Sequence, residues 1–243
     1  MYRSINSLAF RGGVIVSLTM LFFLSACSKE NKPGPAVPPT DTIAPYKNYL
    51  ALGDSYTIGT SVTATERFPV QTTALLSSSN ILINQPDIRA INGWTTNDLL
   101  HSLTSEPPVK TYDLVSLLIG VNNQYQHRSQ EEYRIKFTEL VTKAIEYAGG
   151  RRNRVFVLSI PDYSVTPFAQ YSDTVMISNE IDQFNAINEQ VSAQMGVKYL
   201  TITQISREGR TDPTMQASDG LHPSGKQYQR WSALLAPMMK ASL

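Results

Sequence analysis

The sequence predicts an α/β fold, a single domain built on a parallel sheet of about five strands with helices on both faces. Three observations carry this. Short, nearly continuous apolar runs recur between residues 46 and 243, longer amphipathic segments alternate with them, and neither an internal repeat nor a second composition regime interrupts the pattern. Parallel strands covered on both faces read as unbroken apolar runs, and strand–helix alternation is how such sheets are built.

The strand candidates, in order, are YLALGD (49–54), IRAING (88–93), LVSLLIG (114–120), RVFVLSI (154–160) and VKYLTI (197–202). Between the third and fourth, residues 129–148 place Tyr133, Phe137, Leu140, Val141, Ala144 and Ile145 on one side of a helix. A second helix is expected over 175–195, with Ile177, Ile181, Phe184, Val191 and Met195 at helical spacing. The last starts after Ser224, an N-cap residue type, and turns Tyr228, Trp231, Leu235 and Met238 inward. These stripes are core positions rather than cofactor contacts.

The chain has 243 residues, with 21 basic against 20 acidic. That length can bury a substantial core, and the near balance of charge gives no electrostatic reason to expect nucleic acid as a partner. GGRRNR (149–154) is an exposed turn before a strand rather than a basic patch.

Residues 1–26 stand apart from the fold. Arg3 and Arg11 precede VIVSLTMLFFLSA, an apolar run ending in small residues before Cys27. A basic region, a short apolar core and a small-residue cut site mark a secretory signal, and the run is short of the roughly 20 apolar residues that span a bilayer. LSAC resembles the lipobox of bacterial lipoproteins, which implies that Cys27 is lipidated; it is the only cysteine, so no intrachain disulfide forms. Residues 27–45 then hold five prolines among polar residues, the composition of an extended tether. Lys29-Glu30 resembles export signals that carry some lipoproteins to the outer face of Gram-negative cells. The expected organisation is a signal peptide (1–26), a lipidated cysteine and tether (27–45), and one domain (46–243), anchored to a bacterial membrane, outer or cell-surface.

In open parallel sheets ligands bind beyond the carboxyl ends of the strands, so the residues following each apolar run are where chemistry is sought. Ser55 follows the first strand, Asn92-Gly93-Trp94 the second, Gly120-Val121-Asn122-Asn123 the third and IPDYS (160–164) the fourth; SDGLHPSG (218–225) stands near the C-terminus. These are the parts acyl transfer needs. A serine hydroxyl requires a base, which His222 can supply if a carboxylate fixes its tautomer. Asp219, three residues earlier, can reach back across a tight turn, and Pro223 keeps His222 out of the final helix. Backbone N–H groups of Ser55 and Gly93 and the Asn122 amide can hold an oxyanion. Asp54 is not the triad acid: adjacent residues at a strand end face opposite sides, so with Ser55 in the cleft it ties down the loop instead. Trp94 and Tyr125 are candidates to line an acyl or sugar pocket. His101 and His127 have no partners of this kind, and no clustered metal-ligand pattern occurs beyond Asp219 with His222.

GDSY, NGW, GVNN and DGLHP, in that order, resemble the four spaced blocks of the SGNH, or GDSL-type, hydrolases. The resemblance spans nearly the whole domain. It implies a flavodoxin-like three-layer α/β/α fold and ester hydrolysis through an acyl-serine; no cofactor is expected. Carried over by residue, it makes Ser55 the nucleophile, His222 the base, Asp219 its orienting acid, and Ser55, Gly93 and Asn122 the oxyanion donors. Two positions depart from the pattern: Tyr56 stands where leucine is usual, and Asn123 where aspartate is usual, which puts the support of that loop in question. The Gly-x-Ser-x-Gly elbow of α/β-hydrolases is not matched, since GDSYT lacks the second glycine.

The expected function is a serine esterase removing small acyl groups, acetyl first, from carbohydrate. The alternatives are a lipase or lysophospholipase, an acyltransferase with the same triad, and a non-catalytic glycan-binding surface lipoprotein.

Overall fold

The computed structural model describes residues 45–243. The expected leader, Cys27 and all but the last residue of the proline-rich segment lie outside the described residues.

Five strands form one parallel sheet: β1 (Tyr49–Gly53), β2 (Asp87–Ala90), β3 (Leu114–Leu118), β4 (Val155–Leu158) and β5 (Lys198–Leu200), in the order β2-β1-β3-β4-β5. This is the flavodoxin-like order, whose switch point lies between β1 and β3. The fold expectation holds. β1, β3 and β4 are buried along their whole length, as continuous apolar runs require when helices cover both faces.

The helices are α1 (Ser55–Ile58), α2 (Phe68–Ser78), α3 (Thr96–Ser105), α4 (Val121–Tyr125), α5 (Gln130–Tyr147), α6 (Thr174–Met195), α7 (Thr203–Arg207) and α8 (Gly225–Lys240). α2 packs on α8, α3 and α6 each pack on α5, and α5 and α6 also contact strands β3 and β5, respectively. Ser224 caps α8 by accepting from the Gln227 amide. The stripe of α8 runs Tyr228, Trp231, Leu235 and Met239, all fully buried, whereas Met238 is half-buried. Each such large apolar side chain contributes roughly 1.5–3 kcal/mol over exposure, so this one helix anchors the domain's C-terminal end.

α2 and α3 are not singled out by sequence periodicity. α3 reads TNDLLHSLTS, too short and polar for a clear stripe. Its signal is at the cap: Thr95 and Asp98 bond reciprocally in a capping box. α2 is announced by Pro69 in its first turn.

Register decides where the chemistry sits. Gly53 pairs with Ala90 on one side and Leu118 on the other, so β1, β2 and β3 end level and their loops leave from one edge. The apolar runs predicted to extend to 93, 120 and 160 stop two or three residues early, because the chain turns there into those loops. At Gly53 a side chain has no room: a Cβ would lie 2.1 Å from Thr57 Oγ1 and 2.3 Å from the Leu118 carbonyl.

Candidate active site

The three loops and the segment before α8 enclose a surface cavity of about 220 Å3. Ser55, Asn92, Gly93, Asn122 and His222 face it, with Tyr56, Val121, Tyr125, Tyr163, Phe168 and Leu221 forming the rest of its wall. All of the residues expected as oxyanion donors, and those expected as nucleophile and base, therefore meet at one opening; Asp219 sits directly behind His222.

Ser55 is the first residue of α1. Asp54 caps that helix, its Oδ1 accepting from the Tyr56 amide at 3.0 Å. This is the loop-tying role expected for Asp54, and it fixes the strand-to-helix turn that presents Ser55. Asp54 is wholly buried and its Oδ2 has no partner among the described residues. Burial pushes the carboxyl up to about 7, against the opposing pull of the amides of Tyr56, Asp54 itself and Gly120.

That shift has a consequence for stability. Between about pH 4 and pH 7 the folded chain holds a proton on Asp54 that the unfolded chain has released. The contribution of this group is therefore full below about pH 4, falls as pH rises and is lost above about pH 7. Asp54→Asn keeps an oxygen for the Tyr56 amide and cannot ionise. Its unfolding free energy in urea should exceed that of the wild type at pH 8, on the order of a few kcal/mol, with the gap closing toward pH 4. Parallel pH curves for the two proteins would remove Asp54 as the source.

The C-terminal pair is built by a tight turn. His222 donates its backbone N–H to Asp219 Oδ1 at 3.0 Å, as Leu221 does at 2.9 Å, and its Nδ1 meets Asp219 Oδ2 at 2.6 Å. Partial burial works to raise the Asp219 carboxyl. The bonds from Ser61, His222 and Leu221 outweigh it and hold Asp219 well below the usual carboxylate range, so it stays charged beside the imidazole. The edge of Tyr56 meets the other side of His222, ring centroids 5.6 Å apart. Burial, with the charge of Asp54 next, raises the Tyr56 phenol well above its ordinary value, so it stays neutral. Among the described residues no hydrogen bond joins the Ser55 hydroxyl to His222; catalytic bonds of this kind commonly tighten only with substrate bound.

The oxyanion candidates are held from two sides. Gly93 adopts φ +81, a left-handed conformation that glycine enters freely. Asn122 donates one Nδ2 hydrogen to the Trp94 carbonyl at 2.9 Å, and its amide carries a second donor. Asn123, the departure from the usual aspartate, is buried and loses nothing as a support. Its Oδ1 accepts from the Thr96 amide at 3.0 Å and its Nδ2 donates to Thr96 Oγ1 at 2.9 Å, so an amide does by one donor and one acceptor what a carboxylate would do with two acceptors.

Of the two aromatic candidates, Tyr125 lines the cavity and Trp94 does not; Trp94 packs against the core. Tyr163 and Phe168 complete a cluster with Tyr125, centroids 6.1 to 6.3 Å apart. Both follow β4, where IPDYS marked a strand end. In that block Asp162 turns away, accepting from Ser178 and pairing with Arg207 at 2.8 Å, and its neighbour Tyr163 faces the cavity. His101 and His127 are exposed, away from it.

A parallel 2-1-3-4-5 sheet with a serine at its switch point and an Asp-x-x-His pair beyond it defines an SGNH-type ester hydrolase. The chain belongs to the GDSL-like lipase/acylhydrolase family, whose sequence profile matches residues 51–230. No curated protein matches it by sequence. Solved structures that share its fold include TesA (18% identity, TM-score 0.61, covering 81% of this chain and 100% of that one). The lipase/acylhydrolase from Enterococcus faecalis aligns with 18% identity and TM-score 0.59 over 80% of this chain and 96% of its own. The acetylxylan esterase Axe2 from Geobacillus stearothermophilus aligns with 18% identity and TM-score 0.59 over 81% and 93%.

Proposed function

We propose that this esterase removes small acyl groups, acetyl first, from carbohydrate, with Ser55 as nucleophile. Ser55 Oγ attacks the ester carbonyl while His222 takes its proton, and Asp219 steadies the imidazolium through Nδ1. The carbonyl oxygen, now an oxyanion, is held by the N–H groups of Ser55 and Gly93 and by Asn122 Nδ2. His222 gives the proton to the leaving sugar oxygen, the C–O bond breaks, and the acyl group remains on Ser55. Water, losing a proton to the same imidazole, attacks the acyl carbon; Ser55 leaves, regains the proton, and the carboxylic acid departs.

The observation that carries the substrate class is the cavity: about 220 Å3, with Tyr125 and Phe168 each half-exposed at its wall. Pockets for drug-sized ligands run about 300–1,000 Å3, so the acyl space here suits a few carbons rather than a fatty chain. Half-exposed aromatic faces beside a polar site offer the apolar C–H side of a sugar ring a surface to stack on. The acetylxylan esterase Axe2, sharing the fold, acts on such an ester by its name. From the sequence around Cys27 we further propose export and lipidation, holding the domain at an outer membrane; acyl label incorporated by the full chain and lost in Cys27→Ser is the measurement.

The test is an activated-ester series of acetyl, butyryl and octanoyl chains, followed by acetylated xylo-oligosaccharides. kcat/KM should fall with chain length and acetate should be released from the sugar esters. A rate rising toward octanoyl would move the substrate to lipids, and acyl groups recovered on an added sugar rather than as free acid would make the enzyme a transferase.

A further inference from the structure

The turn that leaves α1 carries two hydroxyls that none of these steps uses. Gly59 and Ser61 both sit in left-handed backbone, at φ 72 and 65. Glycine does so freely, but serine is strained there. What the conformation secures is a bond across 158 positions of sequence: Ser61 Oγ donates to Asp219 Oδ2 at 2.6 Å, the oxygen that also meets His222 Nδ1. Its neighbour Thr60 donates to Asn92 Oδ1 at 2.5 Å, one residue from Gly93.

We propose that Ser61 is a positioning residue for ester hydrolysis, bracing the triad acid against the nucleophile's own helix while Thr60 braces the oxyanion loop. The inference rests on the reading of Ser55, His222 and Asp219 as the triad. A carboxylate accepts about four hydrogen bonds. Asp219 Oδ1 takes the Leu221 and His222 amides, and Oδ2 takes His222 Nδ1 and Ser61. Without Ser61, every remaining partner among the described residues belongs to the Asp219–His222 turn itself, and none of them ties that turn's carboxylate to the side on which Ser55 sits. One short turn thus sets the base and the oxyanion donors relative to the serine that precedes it by six residues.

Ser61→Gly isolates the hydroxyl, because glycine accepts the backbone conformation without strain. We expect kcat to fall about tenfold, some 1.4 kcal/mol of barrier, with KM and Tm nearly unchanged. The pH profile gives the sign. Losing the Ser61 donor leaves Asp219 Oδ2 more charge for the ring, so protonated His222 is held more firmly. The acid limb of kcat/KM should then move to higher pH. The other titratable groups near the pair are Tyr56 from α1 and Tyr228 from α8, both held neutral by burial, and Asp54 beside Ser55, whose carboxyl burial pushes up to about 7; the shift is therefore read again in the Asp54→Asn background, where that carboxyl cannot titrate. Ser61→Asn, which tolerates left-handed backbone and carries an N–H donor, should restore part of the rate.

If Ser61→Gly keeps the wild-type kcat and pH profile, the brace is refuted. The same holds if it loses activity equally at all pH values with a fallen Tm that Ser61→Asn does not repair. Wild type and Ser55→Ala are assayed alongside. Equal rates for those two would overturn the hydrolytic reading itself, whereas a dead Ser55→Ala beside an unperturbed Ser61→Gly would overturn the brace alone.

Discussion

Ser55→Ala should lower kcat on every ester by at least about 10⁴-fold and leave the fold standing. The two halves of this expectation have separate grounds. The proposed reaction passes through a covalent acyl-serine, so removing Oγ removes the atom that would bond to the acyl carbon; what survives is substrate binding and the proposed oxyanion donors, two of which are backbone groups untouched by the change. The fold survives because the hydroxyl makes no hydrogen bond among the described residues, Asp54 supplies the cap of α1, and alanine is a good residue in a helix's first turn. Tm should therefore move by a degree or two at most in a domain of this size. Activity retained within tenfold, in protein with an unaltered Tm, would mean that the cleft is used by a different nucleophile or by none.

Much of this site is legible in the sequence because its parts follow from local rules. Parallel strands buried on both faces announce themselves as apolar runs, and the rule that ligands sit beyond their carboxyl ends picks out Ser55, Gly93 and Asn122 without coordinates. Asp219 and His222 are legible because three residues and a following proline already fix a turn in which one side chain reaches the other. What is not legible depends on contacts distant in sequence. Ser61 is one serine among many until the fold carries it to Asp219. The doubt over Asn123 arises from residue type alone; it is resolved only by seeing Thr96 offer both a donor and an acceptor. Asp162 and Tyr163 show the same limit within a single block. The strand end marks both, but only the structure shows that Arg207 claims the aspartate and leaves the tyrosine to the cavity.

Asp219→Asn should cost about 10³ to 10⁴ in kcat, with KM little changed. The orientation of the new amide can be argued from its surroundings. Two backbone N–H groups, from Leu221 and His222, converge on the present Oδ1. Turning an NH₂ group toward them would set donors against donors, so the amide oxygen must stay there and Nδ2 must occupy the place of Oδ2. That nitrogen then faces His222 Nδ1 and the Ser61 hydroxyl. Ser61 can rotate its hydroxyl and accept. The imidazole can adapt only by accepting at Nδ1, which places its own hydrogen on Nε2, facing Ser55. In that tautomer it cannot take the serine's proton, and the carboxylate charge that would have steadied the imidazolium is gone as well. Because the turn keeps both of its amide bonds, the loss should appear in a protein whose Tm is close to wild type, which separates it from simple unfolding. A loss smaller than tenfold would mean that the imidazole is oriented by something other than Asp219. The short contact between them would then be a feature of the turn, and the acid of this site would have to be sought elsewhere in the cleft.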